Sequence, residues 1–323
     1  MKKIALTGAN GFVGSNLTRK LLAQKYQVVC LVRPTSDLSL LPATAEIRKV
    51  DYHNSEEITE ILSQCDVLIH TAALTRSRNW QTFYRTNVQF TAELIAAAEK
   101  TNMQQVIFIS SQAAAGPASN LNSPLTEQAE CHPVTWYGKS KMLAEEIVKK
   151  STLPTTIIRP VSVFGPGDKD FLIYFKMLQK HLAAFIGCES KYLSLIYIED
   201  LVNLIVGAIG NPRASHETFF AASTPLISMR EFVDLLQKVL QKKALRLSVP
   251  HFFLEGMAVL MEILYSFSSR PPILNRQKAR EFEQKYWLVS NHKAVEKLNF
   301  QTQLTLEEQI QKTYSWYKEH KWL

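Results

Sequence analysis

Ile4-Ala5-Leu6-Thr7-Gly8-Ala9-Asn10-Gly11-Phe12-Val13-Gly14 is the stretch on which the fold turns. Ile4 to Leu6 reads as a short apolar strand. Leu17, Leu21 and Leu22 then fall on one face of a helix. A glycine-rich turn between strand and helix is a phosphate cradle. Glycine lets the backbone turn tightly and approach a pyrophosphate, which sits at the positive end of the helix. The spacing is Gly-x-x-Gly-x-x-Gly rather than Gly-x-Gly-x-x-Gly. Three glycines alone say little. Their place between a first strand and a first helix says much more.

Outward from this turn, strand and helix patterns alternate. Val28 to Val32 is a second apolar strand, followed by Arg33 with no acid before Asp37. In a dinucleotide fold an acid at this strand end binds a ribose 2′-hydroxyl, and an arginine accommodates a 2′-phosphate. Arg33 therefore points to NADP, although an arginine stacked on adenine would suit either cofactor. Glu46 to Val50 is a third strand, ending at Asp51, where an adenine amino group is expected. Asn54 with Glu57 forms an N-cap with an acid three residues on. Val67 to Ile69 is a fourth strand, and His70-Thr71-Ala72-Ala73 follows it. Small residues there admit the cofactor, and His70, with no carboxylate near it in sequence, reads as structural. Asn87 is polar amid an apolar helical face carrying Phe83, Val88, Leu94 and Ile95, so it is either exposed or braces a site. Val106 to Ile109 is a fifth strand with Ser110-Ser111 at its C-terminal end, where open parallel sheets bind ligands. A loop from Gly116 to Pro133 leads to Thr135-Trp136-Tyr137-Gly138-Lys139-Ser140-Lys141, the start of another helix. Thr155 to Ile158 is a sixth strand, followed by Arg159-Pro160, and Val161 to Asp168 is a loop punctuated by glycine and proline that closes over the cleft.

Tyr137 and Lys141 are four apart and share a helical face. A phenol titrates near ~10 and is a poor acid or base at neutral pH. A nearby ammonium, helped by a second positive charge such as an oxidised nicotinamide, is expected to pull it down and make a general acid/base for a carbonyl or carbinol.

These features together resemble the short-chain dehydrogenase/reductase superfamily in its extended branch. The resemblance rests on Thr7 to Gly14, Asp51, His70 to Ala73, Asn87, Ser111, Tyr137, Lys141, Arg159 to Gly167, and Tyr197-Ile198-Glu199-Asp200. It implies an α/β fold, a doubly wound parallel Rossmann sheet with a smaller, mostly helical C-terminal substrate domain. Residues 1–167, completed by 190–222, would bind NAD(P); residues 168–189 and 223–323 would bind substrate. It implies Tyr137 as the catalytic acid/base, with Lys141 holding the nicotinamide ribose. Ser111, rather than Ser110, would bind the reacting oxygen, and Asn87 would support the site. The cofactor is expected against Gly8, Asn10, Gly11, Phe12, Val13, Gly14, Arg33, Asp51, Tyr52, Thr71, Ala72, Ala73, Tyr137, Lys141, Pro160 and Val163. NADP is the preferred cofactor, with NAD the other; no metal is expected.

Within that branch three positions depart from the nucleotide-sugar enzymes. Val32-Arg33 replaces an acid that holds NAD. Ala115 stands where a tyrosine is frequent. Leu193 occupies the place of an arginine that meets a diphosphate. The segments 193–202 and 271–287 look instead like the 3β-hydroxysteroid dehydrogenase and dihydroflavonol reductase-like group. That group moves hydride at a ketone or secondary alcohol of bulky, apolar substrates. The alternative is an NAD-dependent nucleotide-sugar epimerase or dehydratase. A non-enzymatic cofactor sensor would not need serine, tyrosine and lysine together.

Composition agrees with a globular protein. The 323 residues are 46% hydrophobic and 20% charged, with net charge +8. No long run of like charge and no basic patch interleaved with aromatics occurs, which argues against nucleic acid. Cys30, Cys65, Cys131 and Cys188 show no metal-ligand spacing and read as reduced thiols. No signal peptide or transmembrane run is expected, so the chain is placed in the cytoplasm. In the second half, an apolar helix is expected from Phe171 to Ala184, a strand from Ser194 to Tyr197, a helix from Asp200 to Ile209 and a last strand from Thr218 to Ala221. Ser228 with Glu231, and Thr305 with Glu308, are capping boxes. The segment 251–267 is rich in large apolar residues. It is either a core helix or an exposed lid that greets a hydrophobic substrate or lies in a membrane interface. The expected partners are a small-molecule substrate and a second copy of the chain in a homodimer.

Overall fold

The computed structural model describes residues 2–223, 226–265, 272 and 274–323. Its centre is a seven-stranded sheet. The strands are β1 (Lys3–Thr7), β2 (Gln27–Val32), β3 (Glu46–Lys49), β4 (Val67–His70), β5 (Gln105–Ile109), β6 (Thr155–Pro160) and, later in the chain, β11 (Glu217–Ala221). Their order is β3-β2-β1-β4-β5-β6-β11, and every neighbouring pair is parallel. This is the doubly wound order with one strand added, and its direction reverses between β1 and β4.

The apolar runs explain the sheet. A strand buried on both faces carries no polar alternation. Ile4, Leu6, Val28, Cys30, Ile107 and Ile109 face one core; Ala5, Val29, Leu31, Val106 and Phe108 face the other. The second face is covered by α2 (Ser55–Ser63), α4 (Phe90–Glu99) and α6 (Trp136–Lys149), through Ile58, Leu62, Leu94, Ala144 and Val148. Between β4 and α4 lie α3 (Trp80–Phe83) and a π-helical turn, Tyr84–Gln89; α5 (Gln112–Ala115) follows β5. The first face is covered by α1 (Phe12–Ala23), through Leu17 and Leu21, and by helices from the C-terminal half. Each such aliphatic side chain contributes ~1.5–3 kcal/mol when fully buried. Strand β3 is an edge. Its Glu46, Arg48 and Lys49 are exposed, and charge on an edge discourages pairing with another sheet.

Beyond the sixth sheet strand come β7 (Ser162–Phe164), α7 (Leu172–Gln179), β8 (Leu182–Ile186), β9 (Tyr192–Leu193), β10 (Leu195–Tyr197) and α8 (Ile198–Ala208). After β11 come β12 (Ile227–Ser228), α9 (Met229–Leu240), β13 (Leu245–Val249), α10 (His251–Leu264), α11 (Arg276–Glu283), β14 (Tyr286–Trp287), α12 (His292–Leu298) and α13 (Leu306–Glu319). Both capping boxes form as expected, at Ser228 and Thr305. Asn54 caps α2 by accepting from Glu57 N.

Two expectations are corrected. The apolar helix expected from Phe171 to Ala184 ends at Gln179, and Leu182–Ile186 is a strand paired in parallel with β13. His181 takes a left-handed φ of 57°, which ends the helix, and its ring Nδ1 donates to Lys243 O, 2.8 Å away. Periodicity does not separate a short apolar strand from a helical segment; the partner strand, sixty residues on, decides it. The segment 251–267 is not a core helix. Of α10, only Leu254 and Ala258 are buried; residues 266–267, like Pro271 in the segment 271–287, lie outside the described residues.

Candidate active site

The glycine turn lies at the point where the strand order reverses. Gly8 has φ 69°, and a Cβ there would stand 2.6 Å from Ala72 N and 2.7 Å from Thr71 Oγ1. Only glycine lets the turn after β1 touch the loop after β4. Thr71 fastens the two by donating to Thr7 O at 2.7 Å. Helix α1 opens at Gly11 with no side-chain cap and no acid in its first turn. Its first N–H groups and the positive end of its dipole are left for an anion. Asn10 donates to Asp37 O at 3.2 Å and ties the turn to the segment after β2. Phe12 and Val13 are half-buried, and a Cβ on Gly167 would contact the Phe12 ring. The loop after β6 therefore does come down on the glycine turn. Tyr317 reaches the same loop, donating to Asp168 O at 2.7 Å.

The far end of this cradle is set by β2 and β3. Arg33 is exposed just beyond β2, with no acidic partner among the described residues. Tyr52 donates to Leu31 O at 2.8 Å and stacks on Phe90 with centroids 4.3 Å apart. Asp51 is exposed and turns its carboxylate back to accept from His53 N at 3.0 Å. Ala73 is half-buried beside Ala72, Pro160 is buried at the end of β6, and Val163 pairs with Ile196 on β10. A backbone surface open to anions, bounded by small residues, suits a dinucleotide. Gly8, Asn10, Gly11, Thr71 and Ala72 would hold its pyrophosphate side and Arg33 its adenosine side.

Tyr137, Ser111 and Lys141 meet at the C-terminal edge of β5. Thr135 caps α6, accepting from Gly138 N at 3.1 Å. Gly138 allows that helix to sit against α5, since a Cβ there would lie 2.1 Å from Ala113 O. Close approach brings the Tyr137 phenol near the Ser111 hydroxyl, whose influence works against the upward push of burial on the phenol. Ser111 Oγ also accepts from Ala113 N at 3.1 Å. Ser110 donates instead to the buried Glu145.

The electrostatics differ from expectation. Burial pushes Tyr137 up to about 12; the Ser111 hydroxyl opposes this, and Glu281 of α11 adds to it. Lys141 is not among the main influences on the phenol. It is buried, donates to Ile109 O at 2.7 Å, and lies 3.9 Å over the Phe108 ring. Desolvation pushes Lys141 down to about 7 against the pull of Glu145. The two groups thus sit closer to neutral than the spacing alone suggested.

Asn87 ties the loop after β4 to α6. It is buried on the π-helical turn, accepts from Leu74 N at 2.7 Å, and donates to Leu74 O and Ser140 Oγ at 2.9 Å each. The loop after β4 and the Tyr137 helix are thereby linked through one amide. An inserted π turn re-aims one side chain out of the helical register, a feature frequent at functional sites. His70 is structural, as its position implied. It is buried between Thr7 Oγ1 (2.7 Å) and Thr91 Oγ1 (3.0 Å), and desolvation pushes it down to about 3.

Sequence reasoning missed the support beneath the site. Glu145 is buried with Arg159, at 2.6 Å and 2.9 Å, and Arg159 also reaches Cys131 Sγ at 3.2 Å. Removing one partner of such a pair costs about 3–5 kcal/mol. The signal was present: Glu145 follows Lys141 by one helical turn, and Arg159 follows the apolar pair Ile157-Ile158 in a buried strand. Gln277 of α11 was also missed. Its side chain accepts from Trp136 N at 2.8 Å, at the first turn of α6. Nothing in sequence links those positions, which are far apart in the chain.

A switch-point cradle beside a serine, tyrosine and lysine on this sheet defines a class, the short-chain dehydrogenase/reductases of the extended type. More narrowly, the model of the NAD dependent epimerase/dehydratase family matches residues 4–221, and the chain belongs to that family of enzymes. It is 30% identical to a UDP-glucose 4-epimerase of Vibrio cholerae over 259 residues, 77% of this chain and 79% of the other. It is 23% identical to a ceramide reductase of Caulobacter vibrioides over 326 residues, 99% of this chain and 96% of the other. Among solved structures, a Bacillus cereus UDP-glucuronic acid 4-epimerase in complex with UDP-glucuronic acid and NAD is similar in fold. The TM-score is 0.79, at 21% identity, covering 98% of this chain and 99% of that one.

Proposed function

We propose that this enzyme is an NADP-preferring reductase or dehydrogenase acting on a ketone or secondary alcohol of a bulky, largely apolar substrate. Bound nicotinamide supplies or accepts the hydride. Tyr137 Oη donates its proton to the carbonyl oxygen in reduction and takes it from the carbinol in oxidation. A phenol held near 12 remains protonated at neutral pH, which suits the donor role. Ser111 hydrogen-bonds the same oxygen. Lys141 holds the cofactor ribose, and Asn87 and the Glu145–Arg159 pair keep α6 in place. The observation that carries the reading is Arg33, exposed at the end of β2 without an acidic partner among the described residues. An enzyme that ends each cycle with its cofactor unchanged gains nothing from a 2′-phosphate site; a reductase does. Leu193 supports the same choice, since an apolar side chain does not neutralise a diphosphate. The ceramide reductase, matched along almost its whole length, acts on a lipid by its name. The epimerase reading is favoured by the Vibrio cholerae relative, the more identical of the two.

A guanidinium gripping a phosphate is worth ~1.5–3 kcal/mol, or about 10- to 100-fold in affinity. NADPH is expected to bind at least about tenfold more tightly than NADH at low salt, and Arg33→Ala is expected to erase most of that gap. Titration of both dinucleotides checks this; equal losses for both would refute the NADP assignment. Turnover against ketones and nucleotide sugars separates the reactions, because a reductase changes nicotinamide absorbance and an epimerase shows no net change.

A further inference from the structure

Helix α10 leaves an apolar face in solvent. Phe252 is 76% exposed, Ile263 63% and Leu264 64%, and Phe253, Val259 and Leu260 are exposed beside them. At roughly 100° per residue these positions fall in one unbroken outward arc of about 140°. No charged residue lies within that arc. The opposite side is anchored: Leu254 and Ala258 pack against Ala279 of α11. Both acids of the helix turn toward α11, Glu262 to Arg276 at 2.9 Å and Glu255 to Glu283. Strand β13, which leads into the helix, also exposes Leu245 and Leu247.

The flanks carry the opposite chemistry. Between Asp234 and Glu255 the chain has Lys238, Lys242, Lys243 and Arg246 and no acid. Between Glu262 and Glu281 it has Arg270, Arg276, Lys278 and Arg280 and no acid. Lys242, Lys243 and Arg280 have no acidic partner among the described residues. Fourteen residues make a helix of about 21 Å, against about 30 Å of hydrocarbon. No helix among the described residues is long and apolar enough to cross a membrane.

We propose that α10 is an in-plane docking helix. Its outer face sinks into the headgroup and acyl boundary of an anionic lipid surface, and its basic flanks meet the headgroups. A second copy of this chain is the weaker occupant, because a two-fold contact would bring like-charged flanks together. Docking places α11 near the lipid, and α11 supplies Gln277 to the first turn of the Tyr137 helix. That a lipid ketone enters there rests on the reductase reading; the docking does not.

Flotation with vesicles of phosphatidylcholine, with and without phosphatidylglycerol, tests the docking in the absence of substrate. The full chain is expected to float with the anionic vesicles, and added salt is expected to weaken this. The triple variant Phe252→Ser, Leu260→Ser, Ile263→Ser is expected to lose about tenfold or more in bound fraction while its circular dichroism and NADPH titration stay unchanged. Leu264→Ser alone gives the same comparison in milder form if the triple variant does not fold. Wild type that binds neither vesicle overturns the proposal, as do variants that float as well as wild type. So does a dimer, seen by sedimentation, that the variants dissociate while vesicles are ignored. NADPH turnover with a soluble ketone is read separately, so either reading can fail alone.

Discussion

Lys141 shows how one buried residue carries a cost that chemistry can use. Water is replaced by Phe108 and a single carbonyl, so the ammonium is disfavoured and titrates near 7. In the unfolded chain it titrates near ~10.4. Between these values the unfolded chain holds a proton that the native site has released, so this residue makes stability rise with pH. Cys30 and Cys65, both pushed up to about 11 by burial, act in the opposite sense above ~8.5. The window from pH 7 to 8.5 therefore isolates the lysine. Without added cofactor, wild type is expected to gain about 1 to 2 kcal/mol relative to Lys141→Met across it, read by urea titration. A difference that stays flat would show that the native lysine remains charged.

At the scale of elements, the site depends on how closely α6 approaches α5. The cap at Thr135 starts α6, and Gly138, in its first turn, sets the distance. Gly138→Ala places a methyl group 2.1 Å from a backbone oxygen, so one helix must move. Overpacking of this kind costs about 1–3 kcal/mol. The larger effect is on Tyr137, one residue away, because a displacement near 1 Å costs on the order of 10² in rate. Gly138→Ala is expected to lower thermal stability modestly and turnover by about that factor. Unchanged turnover would mean that the contact does not set the Tyr137–Ser111 geometry.

Across the whole molecule, the C-terminal half reaches the site at two places: α11 meets the first turn of the Tyr137 helix, and α13 meets the loop beside the glycine turn. Gln277 caps α6 from α11, and the charge of Glu281 on the same helix acts on Tyr137. The glycine turn is held by β4 and the loop after β6. Losing one such cap costs about 1 kcal/mol, or about fivefold. Gln277→Ala is expected to reduce kcat/KM for the ketone by about fivefold and to leave NADPH affinity unchanged. Steady-state kinetics beside cofactor titration separates the two; a matching loss of NADPH affinity would refute the division of labour.

The sequence by itself determined the sheet, the glycine turn, three helix caps and the shared face of Tyr137 and Lys141. These are local. Strands buried on both faces are written as continuous apolar runs, turns as glycines, and caps as residues three apart, so each is readable within a few positions. The tertiary structure alone decided what depended on distant partners. It made Leu182–Ile186 a strand by supplying β13, desolvated the site so that Tyr137 is pushed up rather than down, and gave Arg159 its carboxylate. It also turned the outer face of α10 to solvent, because a helix pattern states which residues are apolar and not whether anything packs against them.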